Sequence, residues 1–432
     1  MFRTNLGTAC LEMRTFQVES QFHKRVEIKK VPQRKRLRNN DPSSDSYSGP
    51  WALFEDERRA AANSVSETAG IAKSIKPLYP EACPCESTST EPSPASTCIL
   101  HGKTRNDWKG NNWLRNSGAT SVPVGDVTCI LPRRNAFAWK GHASGVQALC
   151  LFPNQAHMML SASMDSTIKI WDLFDDRECR VTYQGHSLGV RDVKFAFSGT
   201  KFYSSAFDTN VHQWDTETGK IITSFSNNSI NYSIAVHPDD NNSIVLANQY
   251  HKVIQFDAAS GKVVLEYSEH LGPVSAVAFC ENGRKFITSS DDRKIFVWNY
   301  GIPVVDKHVS DHLSHAIPAL SFHPSGNFLA GQAMNNSISV YQAFGEYRNQ
   351  SNKKFYGHSS AGYAIQPGFS PDGKYIMSGS SDGQLYFWDW KSSKMYRNFK
   401  AHDGVCMGSL WHPSAPSKVL SWGWDGDIKL WE

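Results

Sequence analysis

The stretch Ala401-His402-Asp403-Gly404-Val405-Cys406-Met407-Gly408-Ser409-Leu410-Trp411, followed by Val419-Leu420-Ser421-Trp422-Gly423-Trp424-Asp425 and Ile428-Lys429-Leu430-Trp431-Glu432, decides the fold. It holds apolar runs of strand length, too few to cover their own faces, so it must lean on neighbours. The chain upstream supplies copies of it. Aligning on the aromatic that ends each unit gives Trp171, Trp214, Phe256, Trp298, Tyr341, Trp388 and Trp431, spaced 43, 42, 42, 43, 47 and 43 residues apart. Trp171-Asp172, Trp214-Asp215 and Trp388-Asp389 close three units. Gly141-His142, Gly185-His186 and Gly357-His358 open three, with Glu269-His270 and Ala401-His402 as near variants.

That period, with both dipeptides and strand alternation, predicts four-stranded propeller blades. Residues 133–432 resemble the WD-repeat β-propeller family. The expected fold is all-β: a seven-bladed WD-repeat β-propeller closed by an N-terminal strand and preceded by a largely irregular N-terminal arm, 1–132. The resemblance implies a hydrogen-bonded tetrad in each well-formed blade. The matching positions are His142, Ser161, Asp165 and Trp171 in blade 1, and His186, Ser204, Asp208 and Trp214 in blade 2. Blade 4 offers His270, Thr288, Asp292 and Trp298, and blade 6 offers His358, Ser378, Asp382 and Trp388. Blade 7 offers His402, Ser421, Asp425 and Trp431.

The residue types suit a buried relay. An indole N–H donates to a hydroxyl, the hydroxyl donates to imidazole, and the other ring nitrogen donates to a carboxylate. A catalytic reading of Ser, His and Asp fails because the set recurs blade after blade, as repeat architecture predicts. Blades 3 and 5 carry Leu246, Tyr250 and Phe256, and Gly331, Asn335 and Tyr341, in place of Ser, Asp and Trp. These two are expected to rest on apolar packing. In this family the last blade takes its outer strand from before the first repeat, which here is Arg133 to Lys140. That pairing removes an open edge.

The propeller contains no phosphate loop, metal motif or nucleophile elbow, so no cofactor, metal or small-molecule substrate is expected. Function is expected on surfaces, above all the face carrying the residues before the tetrad Asp and after Gly-His. That face would present Phe207, Asp291 and Trp424, with Gln147, Arg191, Ser275 and Tyr363 nearby. Exposed Trp, Tyr and Arg are what binding hot spots use. The competing expectation is that Phe207 and Trp424 tuck against adjacent blades.

The first third differs in kind. Lys24-Arg25, Lys29-Lys30 and Arg34-Lys35-Arg36-Leu37-Arg38 form basic clusters suited to nuclear import or to RNA phosphates, with a solvated basic tail as the plainer reading. Trp51 and Phe54 stand as an apolar island, read either as a partner-docking segment or as a small helix on the main domain. Cys83-Pro84-Cys85 and Cys98-Ile99-Leu100-His101 approach a zinc spacing. Their Ser/Thr/Pro spacers offer no mini-core, which favours thiols in a loop over a metal site.

Bulk properties exclude several classes. Hydrophobic residues make up 40% of the chain, enough for a sizeable core, and the formal net charge of +4 says little about partners at this length. No apolar run reaches membrane-spanning length, and the N-terminus lacks a signal-peptide core. Nine scattered cysteines favour reduced thiols in the cytosol or nucleus.

A narrower resemblance includes pieces outside the propeller. Tyr47-Ser48-Gly49-Pro50-Trp51-Ala52, Cys129-Ile130-Leu131-Pro132 and Gly357-His358-Ser359-Ser360-Ala361-Gly362-Tyr363-Ala364 look like a family of WD-repeat pre-mRNA splicing factors. So does Ser421-Trp422-Gly423-Trp424-Asp425-Gly426, although Trp422 is large where other blades have Ala162, Ser205, Ser289 and Gly379. The resemblance implies a nuclear, non-enzymatic spliceosomal scaffold acting around exon ligation. Its propeller would dock spliceosomal proteins, and its arm would thread among proteins and snRNA or pre-mRNA, with no membrane partner. The alternative is a propeller substrate receptor of a ubiquitin ligase. One large group of these ends blades in Trp-Asp-x-Arg, whereas this chain ends them in Trp171-Asp172-Leu173-Phe174, Trp214-Asp215-Thr216-Glu217 and Trp388-Asp389-Trp390-Lys391.

Overall fold

The computed structural model describes residues 97–101 and 128–432, apart from 154, 175–176 and 310–314. The described residues fall in one compact unit, Ser89–Glu432. They form seven antiparallel sheets in chain order, each one blade of a propeller. Blade 2 shows the plan: Val190–Phe195, Lys201–Ala206, Asn210–Asp215 and Ile221–Ser226 run in sequence from the inside out. Alternation sets the packing. The second and third strands are buried on both faces, whereas the outermost alternates, as Ile221–Ser226 does.

The core is divided among seven interfaces. Leu160 and Ile170 of blade 1 meet Val193, Phe202 and Trp214 of blade 2. Ala196, Tyr203 and Val211 then meet Ile244, Leu246 and Phe256 of blade 3. The pattern continues round the ring to Trp422, Ile428 and Leu430 of blade 7, which meet Leu149, Met159 and Trp171 of blade 1. No blade owns a core, which is why a lone repeat cannot fold. Blade 3 compensates for its missing tetrad with Leu246 and with Phe256 packed on Phe225, ring centroids 4.4 Å apart.

Ring closure joins the two ends of the propeller. Asn135–Trp139 pairs antiparallel with Ile428–Trp431 as the outer strand of blade 7. The backbone N–H groups of Arg133 and Arg134 donate to the Glu432 carbonyl, and the Glu432 N–H returns to Arg134 O at 3.0 Å. Closure removes the exposed edge between first and last repeat.

The arm contributes a strand of its own. Thr97–Leu100 adds a fifth strand to blade 1, antiparallel to Cys179–Gln184. Sequence reading placed this segment in an irregular arm. Four residues inside a polar stretch carry no periodicity, and the partner strand lies far downstream. Cys98 packs beside Tyr183 and fills the space above Gly219. His101 Nε2 lies 2.9 Å from Thr182 Oγ1. Further along, Cys129 N–H donates to Asp372 Oδ2 of blade 6, and Ile130 N–H donates to Pro416 O of blade 7.

Trp422 is accommodated by a glycine. A Cβ at Gly408 would lie 2.3 Å from the Trp422 ring, so the neighbouring strand can carry no side chain there. The indole is fully buried and its Nε1 donates to Gln147 O of blade 1 at 3.3 Å. A residue that reads as an anomaly thus ties the last blade to the first.

Candidate interaction face

Four blades share one relay. Trp171 Nε1 donates to Ser161 Oγ at 2.8 Å, Ser161 Oγ lies 2.7 Å from His142 Nε2, and His142 Nδ1 lies 2.9 Å from Asp165. Blade 2 repeats this through Trp214, Ser204, His186 and Asp208, at 2.8, 2.7 and 3.0 Å. Blade 4 does so through Trp298, Thr288, His270 and Asp292, at 2.9, 2.8 and 3.1 Å. Blade 7 uses Trp431, Ser421, His402 and Asp425, at 2.9, 2.8 and 2.9 Å. Burial works against each carboxylate charge, but hydrogen bonds from His and from backbone N–H groups outweigh it and hold Asp165, Asp208, Asp292 and Asp425 below the usual carboxylate range. Every tetrad Asp also accepts the N–H of the residue after its His, so the relay fixes the loops of one face.

Blade 6 departs from this pattern and corrects the sequence expectation. His358 Nε2 lies 2.9 Å from Gln332 Oε1 of blade 5, and Trp388 Nε1 donates to Tyr356 O at 3.0 Å. Ser378 donates to Gly379 O at 3.1 Å and lies 3.4 Å from Gln332 Oε1, and Asp382 makes no bond to His358 among the described residues. The long glutamine reaches across the interface and takes the histidine. Burial pushes His358 down to about 4, because its Nδ1 sits buried without a partner.

The tetrads support a uniform face. In every blade the residue at the turn before the tetrad Asp position donates its N–H to a carbonyl of the segment leading to the inner strand, which in blade 6 is Ser359, well before Gly368–Phe369. The donors are Met164, Phe207, Gln249, Asp291, Met334, Ser381 and Trp424. Phe207 is half-buried, Asp291 is exposed, and Trp424 keeps 44% of its surface in solvent. Trp424 also leans on neighbours: Tyr363 packs edge-on at 5.4 Å, and Gly145 of blade 1 permits its backbone and ring to approach. Both expectations for Trp424 therefore hold in part, since one side is packed and the other is open.

Inside this rim lies a cavity of about 250 Å³ at the propeller axis, lined by Gln147, Arg191, Tyr232 and Ser275 among others. Each of these four sits at a break in strand register, between Val146 and Ala148, Val190 and Asp192, Asn231 and Ser233, and Val274 and Ala276. A bulge re-aims the extra side chain, here toward the axis. Arg191 Nη1 donates to Gln147 Oε1 at 3.2 Å, and burial lowers its guanidinium from its ordinary value while Asp192 and Tyr232 act in the other direction. Sequence reading placed Gln147, Arg191 and Ser275 near the face. It missed Tyr232, because blade 3 lacks the Gly-His that sets the alignment, and a 42-residue offset from Arg191 falls one residue beyond it, on Ser233.

Among the described residues, one cluster has metal-ligand types close together: His186, Asp208 and His212. His186 and Asp208 already bond within their relay, and the His212 ring lies 4.4 Å from the His186 ring at 30°. Near-stacked rings do not aim their lone pairs at one point, so the set suits packing better than coordination. Lys24, Arg25, Lys29, Lys30, Arg34, Lys35, Arg36, Arg38, Trp51, Phe54, Cys83 and Cys85 lie outside the described residues.

A ring of seven blades with repeated structural relays defines a WD-repeat β-propeller. The family model for the WD domain, G-beta repeat, matches residues 134–172, 177–215, 261–299 and 349–389. Pre-mRNA-processing factor 17 of Mus musculus is 40% identical over 94% of this chain and 70% of its own length. The Homo sapiens protein of that name is 39% identical over the same shares, and that of Saccharomyces cerevisiae 32% over 91% and 87%. The chain belongs to the pre-mRNA-processing factor 17 family.

Proposed function

We propose that this protein is a non-enzymatic scaffold of the spliceosome, acting in the nucleus around the second transesterification, exon ligation. Supporting this reading above all is similarity that runs through 94% of the chain to proteins named for pre-mRNA processing, well beyond the repeats alone. The propeller, residues 133–432, would act as a rigid docking body. Phe207, Asp291, Tyr363 and Trp424 would meet partner proteins around the axial residues Gln147, Arg191 and Ser275. The arm, 1–132, would thread among proteins and RNA, with Trp51 and Phe54 as a docking island. Its basic clusters would serve import or phosphate contact. The chemistry of splicing would lie with other components, and the tetrads would serve only to hold loops in place. Affinity purification of the tagged full chain from nuclear extract tests this. Recovery of small nuclear RNAs with splicing proteins is expected; a cullin adaptor without RNA would replace this reading with the ligase-receptor alternative.

A further inference from the structure

The axial cavity is lined by a cation that has no carboxylate at ion-pair distance among the described residues. Arg191 lines the cavity and makes one side-chain hydrogen bond among the described residues, to the neutral Gln147 Oε1 at 3.2 Å. Its sequence neighbour Asp192 is engaged elsewhere. That carboxylate accepts Ile234 N–H at 2.9 Å and Ser233 Oγ at 3.3 Å, and it pairs with Lys194 Nζ at 3.6 Å. No carboxylate among the described residues lies within ion-pair distance of Arg191. A guanidinium on a cavity wall, with one protein acceptor among the described residues, offers a planar fork that a carboxylate can take with two N–H bonds. The bulge at Arg191 aims that fork at the axis.

The surroundings indicate what kind of ligand. The loops and turns of the same face carry Leu188, 53% exposed, Leu271, 76% exposed, Met334 and Trp424. Nucleic acid is held by a run of cations that follows its phosphates, whereas the cations lining this cavity among the described residues are Arg191 and Lys194, the latter paired with Asp192. A peptide with an acidic side chain between apolar residues matches both features: carboxylate to the fork, apolar neighbours to the rim.

We propose that Arg191 anchors a glutamate or aspartate carboxylate of a partner peptide inserted into the axial cavity, with flanking apolar side chains seated on the rim. This rests on the reading of the axial face as a docking surface. Gln147 acts as the positioning residue that holds the fork in place, and the carboxylate supplies a direct ion-pair partner.

Fluorescence anisotropy of the full chain with labelled peptides tests it. The probes are Ser-Leu-Phe-Glu-Leu-Phe-Ser, its Gln and phosphoserine counterparts, and a uridine oligonucleotide. The Glu probe is expected to bind saturably, about tenfold or more tighter than the Gln probe, because the fork forms charge-assisted bonds only with the acid. Arg191→Lys keeps the charge but loses the fork, and is expected to weaken the Glu probe about tenfold while leaving the Gln probe unchanged. Arg191→Ala should abolish the preference at an unaltered melting temperature. Equal binding of Glu and Gln probes, no saturable binding of the Glu probe, or preference for the phosphoserine peptide or the oligonucleotide would overturn the assignment. Should Arg191→Ala retain spliceosomal proteins in the nuclear-extract purification while Trp424→Ala loses them, the docking face stands and the carboxylate anchor falls.

Discussion

Replacing Ser421 and Ser378 separately by Ala should give very different losses, although the two occupy equivalent places in the repeat. Ser421 is fully buried; it accepts the Trp431 indole N–H at 2.9 Å and meets His402 Nε2 at 2.8 Å. Removing the hydroxyl strands two buried polar groups, each costing about 1–3 kcal/mol, so a total loss of roughly 2–6 kcal/mol is expected. Ser378 carries neither bond. Trp388 donates to Tyr356 O, His358 meets Gln332, and the hydroxyl itself has a carbonyl at 3.1 Å. Its removal leaves no buried donor from Trp or His unpaired and should cost about 1 kcal/mol or less. Urea unfolding of the full chain, followed by tryptophan fluorescence, would place the Ser421→Ala midpoint well below that of Ser378→Ala. Equal losses would refute the claim that blade 6 routes its histidine to Gln332.

Further outcomes follow from the same geometry. Deleting residues 428–432 leaves Asn135–Trp139 without its partner strand and should abolish the cooperative melt of the ring, measured by differential scanning calorimetry. Between pH 6.5 and 4 the unfolded chain takes up a proton at His358 that the folded chain refuses, so stability should fall as pH falls through that window, by up to about 3 kcal/mol. His358→Asn should reduce the pH dependence of the urea midpoint there by its own share, since burial also lowers His212, His270, His323 and His412, and an unchanged slope would count against the buried neutral imidazole. Replacing Lys24, Arg25, Lys29 and Lys30 with Ala should reduce nuclear accumulation or recovery of ribonucleoprotein, while propeller melting stays constant. Unaltered localisation together with unaltered recovery would remove the role assigned to that cluster.

The blade count, the closing strand and the relays of blades 1, 2, 4 and 7 could be read from the sequence because repetition supplies its own control: each residue type returns at the same offset. What could not be read is whatever depends on two blades at once. Gln332 stands one position past the usual hydroxyl site of blade 5, and nothing in its spacing says that it reaches His358 of blade 6. The run Ser359-Ser360-Ala361-Gly362-Tyr363-Ala364, where an apolar strand start belongs, was the one sign that blade 6 is built differently; its inner strand shrinks to Gly368–Phe369. Thr97–Leu100 was invisible for another reason. Its pairing is made by backbone groups, which any short extended segment can offer to an open edge. The face residues Gln147, Arg191 and Ser275 were placed near one another by offset alone. Their convergence on the axis depends on bulges, and Tyr232 joins them from a blade with no opening dipeptide to align on.

The central claim, that this family member works as a spliceosomal docking body, is tested most directly by purifying the tagged full chain from nuclear extract and sequencing its RNA alongside its proteins. Small nuclear RNAs and splicing proteins are expected in wild-type eluates, reduced when Trp424 is replaced by Ala. A cullin adaptor without RNA, or eluates with no splicing component, would contradict it.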